Sequence, residues 1–258
     1  MDVRVVIDEI ATGIEFDIER MPDHPVERIG ELCDAASSGL RTLAGCALLI
    51  DADADSYYQH LARSAEVRRY FLDRYRREAP LLRDAYRAAG NSAALFDALA
   101  AYRFDLARDL ATLSNTTWWQ GEEYLEDFAL AHLLHLLVQA VPRDAPPVRQ
   151  ALENLDHALD GGEPAKLAVC RAIVEGDQVA FDEAFDALLA ARSAELLEQG
   201  DPFTVYDEAA YRVTNTLYID GLAFLNLADR FSLTTRDEYR YCPRNARVAP
   251  ATLTGNAP

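Results

Sequence analysis

The sequence predicts an all-α protein, built from stacked antiparallel helical hairpins in a helical-repeat-like bundle. Hydrophobic residues make up 50% of the 258 residues, and the long segments are rich in alanine and leucine. β-Branched runs are nearly confined to the first seven residues. In the longer segments, apolar residues recur at steps of three and four, which is the main sequence signal for an amphipathic helix.

Composition and proline positions predict the domain organisation. We expect residues 1–25 to form a short extended segment because of the apolar run from Val3 to Ile7. Residues 26–248 are expected to form one all-α domain, with a possible internal boundary at 142–147, where three prolines occur. Residues 249–258 have the composition of a disordered tail.

The first half of the domain contains several predicted helices. Apolar residues from Val26 to Ile50 have helical spacing, but the interruption at Ser37-Ser38-Gly39 favours two short helices over one kinked helix. One amphipathic helix is predicted from Ser92 to Leu113. Trp118 and Trp119 follow it at a helix junction, where such residues usually serve as packing anchors.

The aspartates at 51, 53 and 55 alternate as they do at the start of a calcium loop. An EF-hand requires glycine at the sixth position and glutamate at the twelfth, which here are Ser56 and Ala62. We therefore expect Asp55 to be the N-cap of a helix that runs to Glu78.

This helix carries arginines on its predicted outer face, with tyrosines between them, a combination found in nucleic-acid-binding proteins. The net charge of −18 argues against that function, because such a chain repels nucleic acid. The arginines are expected to pair with acidic helices or to remain solvated. They are Arg63, Arg68, Arg69, Arg74, Arg76 and Arg77.

The clearest helical hairpin is predicted in the second half of the chain. Its first helix begins at Pro164 and ends at Gly176, and Asp177 caps the second helix. A third helix is predicted to carry one apolar face from Ala210 to Phe231, with Gly221 where another helix crosses closely. The apolar stripe of the second helix comprises Phe181, Ala184, Phe185, Leu188 and Ala191.

The helix predicted from Glu122 to Gln139 contains the main candidate for metal chemistry: Glu123, Glu126, Asp127, His132 and His135. It lacks both the Glu-x-x-His unit of helical di-iron sites and the His-Glu-x-x-His motif of zinc proteases. Buried or boundary histidines are therefore favoured, with no metal and no cofactor. The four cysteines lie far apart without zinc spacing, and we expect reduced core thiols.

Acidic residues are concentrated in the second half of the protein. Between Gly121 and Glu208 there are 19 acids and 5 bases, a balance of −14. This charge disfavours nucleic acid and anionic membranes and favours a basic protein partner, although acidic helix faces also serve solubility alone. The candidate partner-binding residues are Glu122, Glu123, Glu126, Asp127, Asp182, Glu183 and Asp186.

The sequence contains no dinucleotide-binding glycine motif, no Walker loop and no Gly-x-Ser-x-Gly elbow. A helical protein with an acidic region and no catalytic motif is typical of a binding module, so no catalytic residues are assigned. The N-terminal residues lack a signal-peptide pattern, and the longest apolar runs are unsuited to span a bilayer, so a cytoplasmic location is expected.

Four short motifs stand out in the second half of the chain: Trp118 with Tyr124-x-Glu126-Asp127-Phe128, Gly176-Asp177-x-x-x-Phe181, Ile219-Asp220-Gly221-Leu222-Ala223, and Tyr239-x-x-Cys242-Pro243. With these motifs, roughly residues 118 to 248 resemble the immunity protein 49 family of bacterial polymorphic-toxin systems. The resemblance implies a helical inhibitor that binds and blocks its cognate toxin domain. It transfers no catalytic residues.

Three functional hypotheses follow. The first is an immunity protein that neutralises a basic toxin domain acting in the cytoplasm by occluding its active site. The second is a helical-repeat scaffold or adaptor that binds an endogenous partner. The third is an enzyme with a metal held by Glu123, Asp127, His132 and His135.

Overall fold

A computed structural model describes residues 3–160, 164–198 and 205–248 of the protein. The described residues are mainly helical and contain no β-strand, which confirms the all-α prediction. The helices are α1 (Val3–Arg20), α2 (Ile29–Ile50), α3 (Ala54–Glu78), α4 (Ala93–Ala100), α5 (Phe104–Leu113), α6 (Leu125–Val138), α7 (Pro146–Ala158), α8 (Pro164–Glu175), α9 (Gln178–Glu198), α10 (Val205–Thr216) and α11 (Ile219–Arg230).

The extended segment predicted over residues 1–25 is wrong, because α1 occupies most of it. Val6, Ile10 and Ile14 recur every four residues, are buried, and belong to the main core. Packing of this stripe against α2 outweighs the preference of β-branched residues for strands.

The region predicted as two short helices is a single helix, α2. Gly39 marks a close crossing instead of a break. A Cβ atom at Gly39 would lie 2.6 Å from Ile14 Cδ1 of α1, so glycine leaves room for the Ile14 side chain at this crossing. Gly45 has the same role towards α10, where a Cβ atom would lie 2.1 Å from Val213 Cγ1.

The single helix predicted from Ser92 is divided into α4 and α5. Tyr102, between them, has a φ of 59°, which no α-helix accommodates. The buried amide of Asn226 donates to the carbonyls of Leu99 and Ala100, at 3.0 and 3.1 Å. These bonds satisfy carbonyl groups at the end of α4, so the helix can stop inside the core.

The long third helix of the C-terminal region is likewise divided, into α10 and α11. The break is stabilised by the C-terminal segment, because the Tyr218 backbone N–H donates to the Tyr241 carbonyl at 2.8 Å. The close approach at Gly221 is not the helix crossing that was predicted. A Cβ atom there would lie 2.5 Å from Tyr218 Cδ1 and 2.9 Å from Cys242 Sγ, so Tyr218 and the C-terminal segment are the close neighbours.

Two details of the α3 prediction are also wrong. Asp53, not Asp55, is the N-cap, and its carboxylate accepts from the Ser56 backbone N–H at 3.0 Å. Arg68 does not lie on the outer face. It is buried and donates to backbone carbonyls that follow α3, including that of Ala88 at 3.1 Å.

The predicted hairpin of α8 and α9 is confirmed. Gly176 has a φ of 73°, the left-handed conformation of a helix C-terminus, and Asp177 accepts from the Ala180 N–H at 3.0 Å. The predicted stripe of α9 is buried except for Ala191, which is exposed. One hydrophobic core includes residues on both sides of the 142–147 segment, and the predicted tail at 249–258 lies outside the described residues.

An ionic network around the buried Asp97 was not foreseen from the sequence. Arg41 of α2 donates to Asp97 of α4 at 2.5 Å and to Asp220 of α11 at 2.8 Å, and Ser64 of α3 donates to Asp97 at 2.6 Å. Burial raises the pKa of Asp97, and the guanidinium of Arg41 opposes that rise. The network joins the consecutive helices α2, α3 and α4 to α11, which is distant in sequence.

Candidate functional site

The first group of predicted partner-binding residues surrounds the start of α6. We call Glu122, Glu123, Glu126 and Asp127 the α6 acidic surface. Because α6 begins at Leu125 and not at Glu122 as predicted, the first two acids lie in the preceding loop. Glu122, Glu126 and Asp127 are exposed, whereas Glu123 is half-buried.

Glu123 joins two loops. Its carboxylate accepts hydrogen bonds from the backbone N–H of Gly90 at 2.7 Å, from the N–H of Trp119 at 3.1 Å and from the side-chain amide of Asn115 at 3.0 Å. Bonds to an ionised acceptor are stronger than neutral ones, so Glu123 fixes the geometry of this surface. Its carboxylate is already occupied within the protein.

A cleft of about 540 Å³ opens between these loops. The residues before α4 form one wall, including Ala88 and Gly90, and the acidic loop forms the other. A Cβ atom at Gly90 would lie 2.9 Å from the Asp127 Cβ and 3.1 Å from the nearer Glu123 carboxylate oxygen. Glycine at this position therefore permits the close contact between the walls.

A second depression lies on the other side of Asp127. This groove has a volume of about 290 Å³ and lies between α6 and the end of α7. We call it the α6–α7 groove. Glu126 and Asp127 both line it, and Asp127 also lines the first cleft, so the two depressions share a wall.

Exposed apolar residues accompany the acids. Tyr124 is 74% exposed and Leu125 is 42% exposed, whereas Trp119 is buried beneath the guanidinium groups of Arg83 and Arg87. Trp119 is thus the packing anchor predicted for the tryptophan pair, but Trp118 is partly exposed. Tyr124 was absent from the predicted site, although an aromatic residue among acids was visible in the sequence.

The second group of predicted residues, Asp182, Glu183 and Asp186, is called the α9 acidic set. Asp186 forms an ion pair with Arg236 of the C-terminal segment. Asp182 accepts from the Gln178 amide at 3.2 Å. Within the described part of the chain, the exposed Glu183 has no hydrogen-bond or ion-pair partner.

The two acidic groups do not form one site. Helix α6 packs on α7, α7 packs on α8, and α8 packs on α9. The α6 acidic surface and the α9 acidic set therefore lie at the two ends of this run of four helices.

The histidines of α6 are half-buried or buried, whereas most of the acids are exposed. His135 is buried, and burial lowers its pKa to about 3. His132 stacks on Phe128, with ring centroids 5.6 Å apart, and burial lowers its pKa too. In residues 3–160, 164–198 and 205–248, no three or more His, Cys, Asp or Glu side chains are grouped to hold a metal ion.

Comparisons with known proteins found no matching family model, no matching curated protein and no matching solved structure. None of the described helices is both long enough and apolar enough to cross a membrane.

Proposed function

We propose that this protein is an immunity protein, which binds a cognate bacterial toxin domain and neutralises it by covering its active site. The observation that carries the proposal is the α6 acidic surface, where exposed carboxylates stand beside exposed Tyr124 and two depressions. Tyrosine is enriched among residues that dominate binding energy, and depressions receive the anchoring side chains of a partner.

The charge of this surface supports a basic partner. Among the described residues, the carboxylates of Glu122 and Glu126 have no hydrogen-bond or ion-pair partner. Carboxylates of this kind attract lysine and arginine side chains and accelerate association, as does the net charge of −18.

The rigidity of the loop that contains Glu123 supports a role as an inhibitor. The three hydrogen bonds to Glu123 hold the loop in place before the partner arrives, which reduces the entropy lost on binding. A toxin domain that acts on cytoplasmic substrates, such as a nuclease, fits the proposal, since its substrate-binding surface is basic and would be covered. The protein would then act in the cytoplasm.

Growth of a bacterial host that expresses the toxin domain encoded beside this gene tests the proposal. The wild-type protein is expected to restore growth, and the double substitution Glu122→Lys with Glu126→Lys is expected to abolish rescue. Glu9→Lys with Glu19→Lys is the matched control, because it makes the same charge change at exposed positions of α1. Absence of rescue by well-expressed wild-type protein would refute the immunity function.

A further inference from the structure

The α6–α7 groove has an apolar floor. Leu130 of α6 and Leu155 of α7 form its base and are almost fully buried, while Ala158 and Leu159 line it with partial exposure. With a volume of about 290 Å³, the groove has room for a side chain such as leucine or phenylalanine. Ala158 and Leu159 leave apolar surface in contact with water, and its burial by a partner is favourable.

The rim of the groove is mostly acidic. Glu126, Asp127 and Asp160 contribute three carboxylates, against the single ammonium group of Lys166. An apolar floor beneath an acidic rim matches an apolar side chain with basic residues on either side of it. A partner with acidic flanks would be repelled.

We infer that this groove binds a basic amphipathic helix of the partner, with one apolar side chain inserted between α6 and α7 and lysine or arginine residues over the rim. The inference rests on the proposed binding function of the α6 acidic surface. A helix fits because its apolar residues at i, i+3 and i+4 form a ridge that can lie in the groove between two helices.

The position of the groove makes it part of the same contact area as the first cleft. Asp127 borders both depressions, so a helix that covers the groove also covers one wall of the cleft. The partner would thereby bury apolar surface in the groove while its basic residues face the acids at the start of α6.

The test uses a synthetic peptide of leucine and lysine with its leucines along one helix face, titrated into the full-length protein by calorimetry. We expect saturable binding to this peptide. A peptide of the same composition in scrambled order should bind at least about tenfold more weakly, and a version with glutamate for lysine should not bind. Equal binding of the ordered and scrambled peptides would overturn the inference, since charge alone would then explain the affinity.

Variants locate the binding site. Ala158→Phe fills the groove and is expected to weaken peptide binding about tenfold or more, whereas Asn154→Phe, at an exposed position of α7 outside the groove, should bind like the wild type. Asp160→Lys changes the rim without filling the floor and should also weaken binding. Circular dichroism and thermal unfolding establish that each variant is folded. Unchanged binding by both groove variants would refute this location.

The peptide assay and the growth assay fail independently. If the wild type rescues growth but the groove variants bind the peptide with undiminished affinity, the immunity function is supported and the groove is not the binding site. If peptide binding depends on the groove but growth is not rescued, the immunity function is refuted and the groove remains a binding site.

Discussion

The α6 acidic surface and the α9 acidic set have similar sequences but different surroundings. At α6, Glu122, Glu126 and Asp127 are exposed beside Tyr124 and two depressions. At α9, Asp186 is paired with Arg236, which lies 50 positions away in the sequence. The local sequence therefore does not reveal which acids already form an ion pair within the protein. For Asp186, the ion-pair partner is Arg236, a residue distant in sequence.

The pairing at α9 is modest in energy. The side chains of Arg236 and Asp186 are 51% and 57% exposed, and an ion pair this exposed contributes about 0–1 kcal/mol. A basic partner could displace Arg236 but would gain less there than at a carboxylate without an existing partner. We therefore expect the α6 acidic surface to dominate binding.

The largest expected contrast is in partner affinity. Glu122→Lys with Glu126→Lys should weaken binding of the cognate toxin domain by about 100-fold or more, because two attractive contacts become repulsive. Asp182→Lys with Asp186→Lys makes the same charge change at α9 carboxylates that already have partners, and should cost about threefold at most. Surface plasmon resonance on the folded variants measures both. Equal losses would mean that the two groups contribute alike.

The next contrast is in stability. Glu123→Ala leaves three N–H donors without their acceptor and should lower the free energy of unfolding by about 2–3 kcal/mol. Asp186→Ala removes only an exposed ion pair and should cost less than about 1 kcal/mol. Urea denaturation measures both. If Glu123→Ala were no more destabilising than Asp186→Ala, the proposed role of Glu123 in fixing the loops would be wrong.

Acidification imposes a cost on the buried His135 of α6. Burial lowers the pKa of His135 to about 3, so the stability present above pH 6.5 is lost as the pH falls towards 3. The expected loss is about 1.4 kcal/mol for each pH unit in that range. Urea denaturation at pH 7 and pH 5 should reveal it.

His135→Leu should remove this contribution to the pH dependence, because leucine does not titrate. A pH dependence identical to that of the wild type would contradict a buried, neutral His135.

The smallest expected effect concerns the pairing at α9 itself. Arg236→Gln removes the ion pair with Asp186 and the contact of the guanidinium with the Tyr239 ring, and should cost about 1 kcal/mol of stability. High salt should reduce the difference from the wild type. A loss of several kcal/mol would mean that the ion pair holds Asp186 firmly within the protein. The difference between the α9 acidic set and the α6 acidic surface would then be larger than expected.

The sequence allowed prediction of most helices but not of where they break. Periodicity reports which face of a segment is apolar, and that face continues through Tyr102 and Tyr218. The breaks depend on Asn226 and on the Tyr241 carbonyl, which approach from elsewhere in the chain. The beginning of α1 was missed for a related reason, since its β-branched residues become helical only against α2.

The acids of the candidate site were visible in the sequence, but their individual roles were not. Glu123 lies among other acids in the sequence. In the folded protein, however, its carboxylate accepts hydrogen bonds from Gly90, Asn115 and Trp119. The cleft and the groove form where separate loops and helices meet, so no local sequence pattern predicts them. Tyr124 was the one additional signal that local sequence could have supplied.

The capping of α4 by Asn226 has a consequence for synthesis of the protein. The donor and the carbonyls that it satisfies are more than 120 positions apart, so a growing chain exposes the end of α4 long before Asn226 leaves the ribosome. The face of α4 that packs against α11 in the folded protein therefore stays uncovered until α11 has been synthesised.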